Sequence, residues 1–455
     1  MQISRRHFHK LAFSASAAAA MGILGRGVAF GQSSGGGYRA MVGVFLFGGN
    51  DGWNMVVPND PALYSAYSAS RGSVALPQGA LAPLSGSSYS LHTAMRSLVP
   101  LWERGAMSLV LNTGTLAAPL DKATYNARAD LRPSNLMSHA DEQEHWQGLR
   151  AQTASRDGFL GRVNDLVAAS SVPPLISFAG NNIALIGQRA QALVLPVSGT
   201  PKRVVTGNGA IDAAVASLAD GSALGTLSAA NTADTKRAYD MTAATASVLA
   251  SGGSVAGYFI DPATGAALTS NVAQQLKRVA RMIEARGSFG HDRQSFFVSQ
   301  GGYDTHDAQA VSGALGTGTH ADLLRDLAQA LSAFYNAMQA LGLADNVTAF
   351  TMSDFGRTYL GNSQYGTDHA WGSNHLVIGG GVAPQGVFGH YPDPTLGGLD
   401  DVGAEGRFIP TTSQEEYIGA ILRRYGVADA SMSYVMPNWA AWSSNGRGPI
   451  GLFDA

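Results

Sequence analysis

Cysteine is absent from this chain, so thiolate metal sites, a cysteine nucleophile and disulfides are all excluded. Charge is scarce: 30 Lys and Arg face 32 Asp and Glu, a formal net charge of -2 with charged residues only 14% of the total. Nothing in that balance attracts nucleic acid or an anionic membrane, so neither is expected as a partner. Beyond the N-terminus no apolar stretch reaches the roughly 18 residues of a membrane span, and a soluble mature protein is expected. No fixed-period repeat, aromatic ladder for glycans or phosphate-cradling glycine loop is present; "GGGV" at Gly379 to Val382 follows a strand but lacks a lysine, and reads as a turn. A core of this size needs no covalent staple, and 455 residues are enough for one large α/β domain with insertions.

What is present begins with "SRRHFHK" at Ser4 to Lys10, followed by a small, weakly apolar run from Leu11 to Leu24 with no acidic residue. Paired arginines ahead of such a run read as a twin-arginine export signal, with cleavage near Ala29 to Gln32 and a flexible leader at Ser33 to Gly37. The alternative is a basic N-terminal helix. Export by the twin-arginine machinery implies folding before transport, which suits a protein loaded with a metal in the cell, and a periplasmic or secreted destination.

Short apolar runs at Met41 to Phe47, Met107 to Leu111, Pro174 to Phe178, Ser295 to Ser299, Val347 to Met352 and His375 to Ile378 predict buried strands. Helical periodicity lies between them at Leu91 to Arg104, Asn135 to Arg150, Gly158 to Ala168, Thr235 to Leu249, Val272 to Ala285, Ala321 to Leu341 and Ser413 to Tyr425. The alternation predicts an α/β/α sandwich with a mostly parallel central sheet. The Ala-, Ser- and Thr-rich stretch of about 197–270 reads as an insertion or cap on a single domain spanning 38–455, and Met436 to Ala455 as an irregular, surface-packed tail.

Polar residues gather at the ends of these strands. "FLFGGNDGWN" places Asp51 after the first, "FFVSQGGYDTHD" places Asp304 and His306 after another, and "FTMSDFGRT" places Asp354 and Arg357 after a third. "TDHAWGSNH" adds Asp368, His369 and His375 before the last. In an open parallel sheet such loops converge in one crevice, where several carboxylates need a cation between them. Asp and His donors without sulfur suit zinc, manganese or iron, and an all-carboxylate subset leans to calcium or magnesium. Each residue also has a structural reading: the aspartates as helix caps, His375 as a core histidine, Arg357 as a salt-bridge partner rather than an anion fork. Ser138, at the start of the helix carrying "HADEQEHW", is the candidate nucleophile, or else an N-cap with Asp141 as its capping-box partner. Thr113 and Thr115 are weaker candidates.

"FLFGGNDGWNMVVP", "SHADEQEHW", "DGFLGR", "GGYDTHDAQ", "SDFGRT" and "TDHAWGSNH" together resemble the landmarks of the DUF1501 proteins, exported bacterial proteins grouped with the alkaline phosphatase and sulfatase superfamily. The resemblance runs from about Val42 to Tyr425. It implies one or two metals at the strand ends, activating a hydroxyl that attacks phosphorus or sulfur, with Asp51, Asp304, His306 and His369 as ligands. Two features depart from the superfamily pattern: Phe355 stands where the usual late Asp-His dipeptide has its imidazole, and the Asp304-Thr-His306 spacing is shortened. Either the second metal site is incomplete, or Asp368, His369 and His375 rebuild it. The absence of cysteine, and of an arginine in Ser138 to Glu142, argues against formylglycine sulfatase activity. The expectation is an exported metal-dependent hydrolase of phosphate or related esters; the alternative is a non-catalytic cell-envelope binding or assembly protein with a degenerate site.

Overall fold

A computed structural model describes residues 37–168, 170–202, 208–220 and 226–453; the export leader expected over 1–32 lies outside them. The strands are β1 (Arg39–Leu46), β2 (Val56–Pro58), β3 (Leu81–Pro83), β4 (Tyr89–His92), β5 (Met107–Gly114), β6 (Leu175–Ser177), β7 (Leu193–Val194), β8 (Arg293–Gln300), β9 (Val347–Ser353), β10 (Ser373–Gly379), β11 (Val387–Phe388) and β12 (Thr412–Ser413). All but three form one nine-stranded sheet in the order β11-β5-β10-β9-β1-β8-β6-β7, with β12 also on β5; β2, β4 and β3 make a small antiparallel sheet that the sequence did not announce.

The sheet is buried on both faces, which is why its strands are nearly continuous apolar runs rather than alternating ones. Ala40, Val42, Val44 and Leu46 of β1 enter one core, with the helices Asn271–Glu284 and Thr319–Ala340. Met41 and Phe45 enter the other, with the helices Phe159–Asn164 and Gln414–Tyr425. The architecture is therefore an α/β/α sandwich. Within 197–270 the long helix Thr226–Leu249 sends Met241, Ala244, Val248 and Leu249 onto the first core. The C-terminal region contains a short helix, Trp439–Ser443, anchored by buried Trp439 and Trp442.

Three helices are shorter than the periodicity predicts, among them the one expected over Gly158 to Ala168, which runs only over Phe159–Asn164. The segment after His92 runs as a 3-10 helix over Thr93–Leu98 before an α-helix starts at Val99, with Pro100 in the first turn, where its missing N–H costs nothing. The helix expected from Asn135 begins at His139, because Asn135 and Met137 sit at φ 47° and 67°, in the left-handed region that a right-handed helix cannot include.

Strand direction decides where the site forms. β1, β8 and β9 are parallel and level: Leu46 pairs with Gln300 on one side and with Ser353 on the other, so their following loops leave at one height. β10 is antiparallel to both β9 and β5. Its entry loop, not its exit, therefore lies at the carboxyl ends of the parallel strands. Gly48, at φ 113°, closes this rim, since a Cβ there would overlap the Asp304 backbone nitrogen.

Glu415 lies fully buried beneath the sheet with Oε1 accepting from Asn438 at 3.3 Å, and burial pushes its carboxyl up to about 8. A raised carboxyl costs the folded state nothing below the ordinary value of 4.5 and increasingly more as pH climbs toward 8. Glu415→Gln is expected to match the parent in urea stability near pH 4.5 and to exceed it progressively from pH 5 to pH 8. A gap independent of pH would contradict the assignment.

Candidate metal centre

Asp304 is the hub. Its Oδ1 lies 2.9 Å from His306 Nε2, 3.2 Å from His369 Nε2 and 2.8 Å from the Arg357 guanidinium, while Oδ2 lies 3.4 Å from His139 Nε2. His306 Nε2 and His369 Nε2 are themselves 3.1 Å apart. Ligand atoms of His139, Asp304 and His369 all lie within 4.8 Å of one another, and among the described residues this is the group that could hold a metal ion.

The loops explain the convergence. His306 and Asp304 follow β8, Arg357 follows β9, and His369 arrives on the entry loop of β10, joined to Arg357 by a backbone bridge. His139 comes from the first turn of the helix His139–Gly148.

Each imidazole is held at its far nitrogen. His139 Nδ1 meets Asp354 Oδ2 at 2.7 Å, His306 Nδ1 meets Asp368 Oδ1 at 2.7 Å, and His369 Nδ1 meets the Met137 carbonyl at 2.9 Å. A carbonyl can only accept and a carboxylate takes a ring N–H readily, so these partners favour a proton on each Nδ1, and Nε2 is the ring atom turned toward Asp304. Three Nε2 atoms and a carboxylate gather in one place. Arg357 neutralises part of the Asp304 charge, but His139 Nε2 is a buried atom with no hydrogen-bond partner, as an atom waiting for an ion would be. The separations of Asp304 from His306, His369 and His139, 2.9 to 3.4 Å, are close to the ~3.3 Å edge of a tetrahedron built on metal–ligand bonds of about 2.0–2.1 Å, with His139 facing Oδ2 and the other two Oδ1. The residues fit a divalent ion.

Electrostatics act on the cluster in both directions. Burial works to raise Asp304, but the hydrogen bond and charge of Arg357, with the charges of His306 and His139, hold its carboxyl below the usual range. Burial lowers His369, helped by Arg357 and His139, which keeps that ring neutral. His139 is raised by its bond to Asp354. Asp354 is itself fully buried, accepting from Gly48 N at 3.2 Å and Gln143 Nε2 at 2.8 Å as well, so it fixes His139 rather than facing the cluster. Met137 keeps its left-handed backbone where its carbonyl meets His369, a strained residue at the site's edge. The side chains of Asp304 and His306 are 46% and 45% exposed against 0% for Arg357 and Asp354, so the cluster opens to solvent on one side only.

Of the sequence-derived candidates, Asp304, His306, His369 and Arg357 come together and Asp354 stands one bond behind. Asp51 does not join them. Its Oδ1 caps the short helix Gly52–Met55 through Trp53 N and Asn54 N, and its Oδ2 pairs with Arg71 and accepts from Gln309 at 2.6 Å, all fully buried. His375 lies inside β10, stacked on Tyr417 and beside Trp146, its charge opposed by burial to a pKa of about 3. Arg357 is spent on Asp304, Gly48 O and Thr367, leaving no free fork for an anion. Ser138 occupies the N-cap, yet its Oγ accepts nothing from the helix backbone and instead donates to Asp141 Oδ2 at 2.6 Å.

His139 is the donor that the sequence did not single out. Its signal was available: His139 and Gln143 stand four apart on one helical face and both reach Asp354. Phe355 packs its ring against His139 and His369 at 4.8 and 4.7 Å, closing the cluster on that side.

An α/β/α sandwich with a histidine-rich candidate metal centre at the carboxyl rim of its sheet is the class of protein these features define. The model of the family described as "Protein of unknown function (DUF1501)" matches residues 38–398, and the chain belongs to that family. Comparison with curated proteins gave no match. Among solved structures the chain is similar to the lipoteichoic acid synthase LtaP from Listeria monocytogenes (9% identity, 87% of this chain and 74% of that one, TM-score 0.34). It is also similar to Ps i-CgsB in complex with k-i-k-neocarrahexaose (10%, 91% and 77%, 0.34). A third similarity is to the soluble domain of lipooligosaccharide phosphoethanolamine transferase A from Neisseria meningitidis (8%, 88% and 93%, 0.33). At these TM-scores none of the three contributes to topology or chemistry, which rest on the sheet order and the cluster itself. No helix among the described residues is long and apolar enough to cross a membrane.

Asp354→Asn keeps the shape but weakens the hold on His139, the kind of change that costs about 10–100-fold in metal affinity. Zinc titration of the metal-free variant against the parent is expected to show that loss with an unchanged circular dichroism spectrum.

Proposed function

We propose that this protein is an exported metal-dependent hydrolase of phosphate or related esters, carrying a single divalent ion on His139, Asp304, His306 and His369. The observation that supports this reading is the convergence of three Nε2 atoms on one carboxylate, each ring braced at Nδ1 by an acceptor. Three nitrogens and one oxygen favour zinc over calcium. Export by the twin-arginine machinery to the periplasm or beyond is part of the proposal, resting on the Arg5 and Arg6 pair and the lack of cysteine.

When bound, the ion supplies Lewis-acid polarisation of the ester oxygen. The chain does the rest. Ser138, one residue from the ligand His139, offers the attacking hydroxyl, and Asp141 at 2.6 Å is placed to receive its proton as Oγ bonds to phosphorus. The ester P–O bond breaks and the alcohol leaves with that proton; water then displaces Oγ from phosphorus, releasing phosphate and returning the proton to Ser138. The backbone N–H groups opening the helix His139–Gly148 face the oxyanion with the positive end of the helix dipole. Phe355 keeps water from one flank and Arg357 holds Asp304 in place.

The test is a screen of aryl phosphates, phosphodiesters and aryl sulfates with zinc, manganese and calcium, run with Ser138→Ala. Turnover that needs metal and drops at least about 100-fold in Ser138→Ala, with metal content retained, is the expected result. Silence on all three ester classes with every metal would overturn the catalytic reading and leave a non-catalytic envelope protein with a metal-bearing site.

A further inference from the structure

The helix His139–Gly148 carries a second group of reactive residues. His139 and Gln143 reach Asp354 from one face; Glu142 and His145, three apart, stand on another and serve nothing described so far. Ser134 Oγ lies 3.2 Å from His145 Nε2. His145 Nδ1 in turn faces Glu142 Oε2 at 3.9 Å. Glu142 is 1% and His145 3% exposed, and neither Glu142 Oε2 nor His145 Nδ1 has a hydrogen-bond partner. A buried polar atom left alone costs about 1–3 kcal/mol, so the two atoms are driven to close the gap between them. Nδ1–H donating to Glu142 fixes the tautomer, and the Nε2 lone pair is then left aimed at the Ser134 hydroxyl. Catalytic hydrogen bonds are commonly longer in unliganded sites than in substrate complexes, and 3.9 Å falls within that pattern. Ser134 itself is only half-buried, on a bent segment where Asn135 and Met137 hold φ 47° and 67°.

We propose that Ser134, His145 and Glu142 act as nucleophile, general base and positioning residue for a second, metal-independent activity: cleavage of carboxylic esters of small acyl groups. Ser134 Oγ bonds to the acyl carbon while its proton passes to His145 Nε2. The ester C–O bond breaks, and the alkoxide leaves with that proton as an alcohol. Water, giving a proton to His145, then adds to the acyl-serine; the serine C–O bond breaks, the carboxylic acid departs, and Ser134 regains its proton. Glu142 touches neither substrate nor reacting atoms and works through His145.

The experiment treats the full chain, stripped of metal with EDTA, with a fluorophosphonate probe and maps the adduct by peptide mass spectrometry. The phosphonyl mass is expected on Ser134, with p-nitrophenyl acetate turned over by the same EDTA-treated protein. No adduct, or an adduct on Ser138 or elsewhere, overturns the proposal. Because the adduct is mapped on the unsubstituted chain, a misfolded variant cannot mask the answer. His145→Ala is expected to slow labelling at least about 100-fold. Glu142→Gln is expected to displace the pH midpoint of the labelling rate, which a purely structural Glu142 would not do; an unmoved midpoint removes Glu142 from the relay. The outcome is independent of the metal-dependent reading, since every step is run without metal.

Discussion

His139→Ala is expected to release the metal. Four donors share a binding free energy of about 10–16 kcal/mol in sites of this kind, so one donor is worth on the order of 3–4 kcal/mol, or about 10²–10³-fold in affinity. Elemental analysis after dialysis against a weak chelator is the measurement: stoichiometric zinc in the parent, little in His139→Ala, and equally little in His369→Ala. The side chain lost in His139→Ala is 31% exposed and its brace, Asp354, keeps Gly48 N and Gln143 as partners, so the fold should survive. Equal metal in parent and both variants would end the assignment of this cluster. The same comparison separates His139 from Ser138, its neighbour, whose truncation should leave metal in place.

Asp51→Ala should behave in the opposite way, losing stability rather than metal. Among the described residues its carboxylate is the only acid bonded to the fully buried Arg71 guanidinium, which also bonds to the Thr358 and Tyr359 carbonyls. Removing one partner of a buried pair leaves an uncompensated charge and costs about 3–5 kcal/mol, with about 1 kcal/mol more for the lost cap of Gly52–Met55. Thermal or urea unfolding should show that deficit, while zinc per folded molecule stays at the parent level. Should Asp51→Ala lose zinc as His139→Ala does, with its stability intact, Asp51 would return to the ligand set and the pairing with Arg71 would lose its meaning.

These two variants mark where the residue pattern misleads. Asp51, Asp304 and Asp354 look alike in the sequence, each just after an apolar run and among glycines. What separates them is the company each keeps: an arginine from residue 71 and a glutamine from 309 for Asp51, a histidine from 139 for Asp354, and three histidines with Arg357 for Asp304. Those partners lie up to 258 positions away in the chain, so no local spacing records them. Ser138 and His139 differ by one residue, yet with the helix starting after the left-handed Met137 it is His139 that reaches Asp304 and Asp354, while the Ser138 hydroxyl bonds to Asp141.

The strands, by contrast, were legible one at a time. Apolar runs buried on both faces, the alternation with helices and the α/β/α layering follow from hydrophobic burial, a local property of composition and period that survives whatever the chain does elsewhere. So did the gathering of Asp304, His306, Arg357 and His369 at one rim, because level strand ends deliver their loops together. The reversed direction of β10, the exclusion of Asp51 and His375, and the entry of His139 were settled only by the tertiary structure. Each depends on which distant group neutralises which charge, and that is a property of the folded arrangement, not of any stretch of sequence.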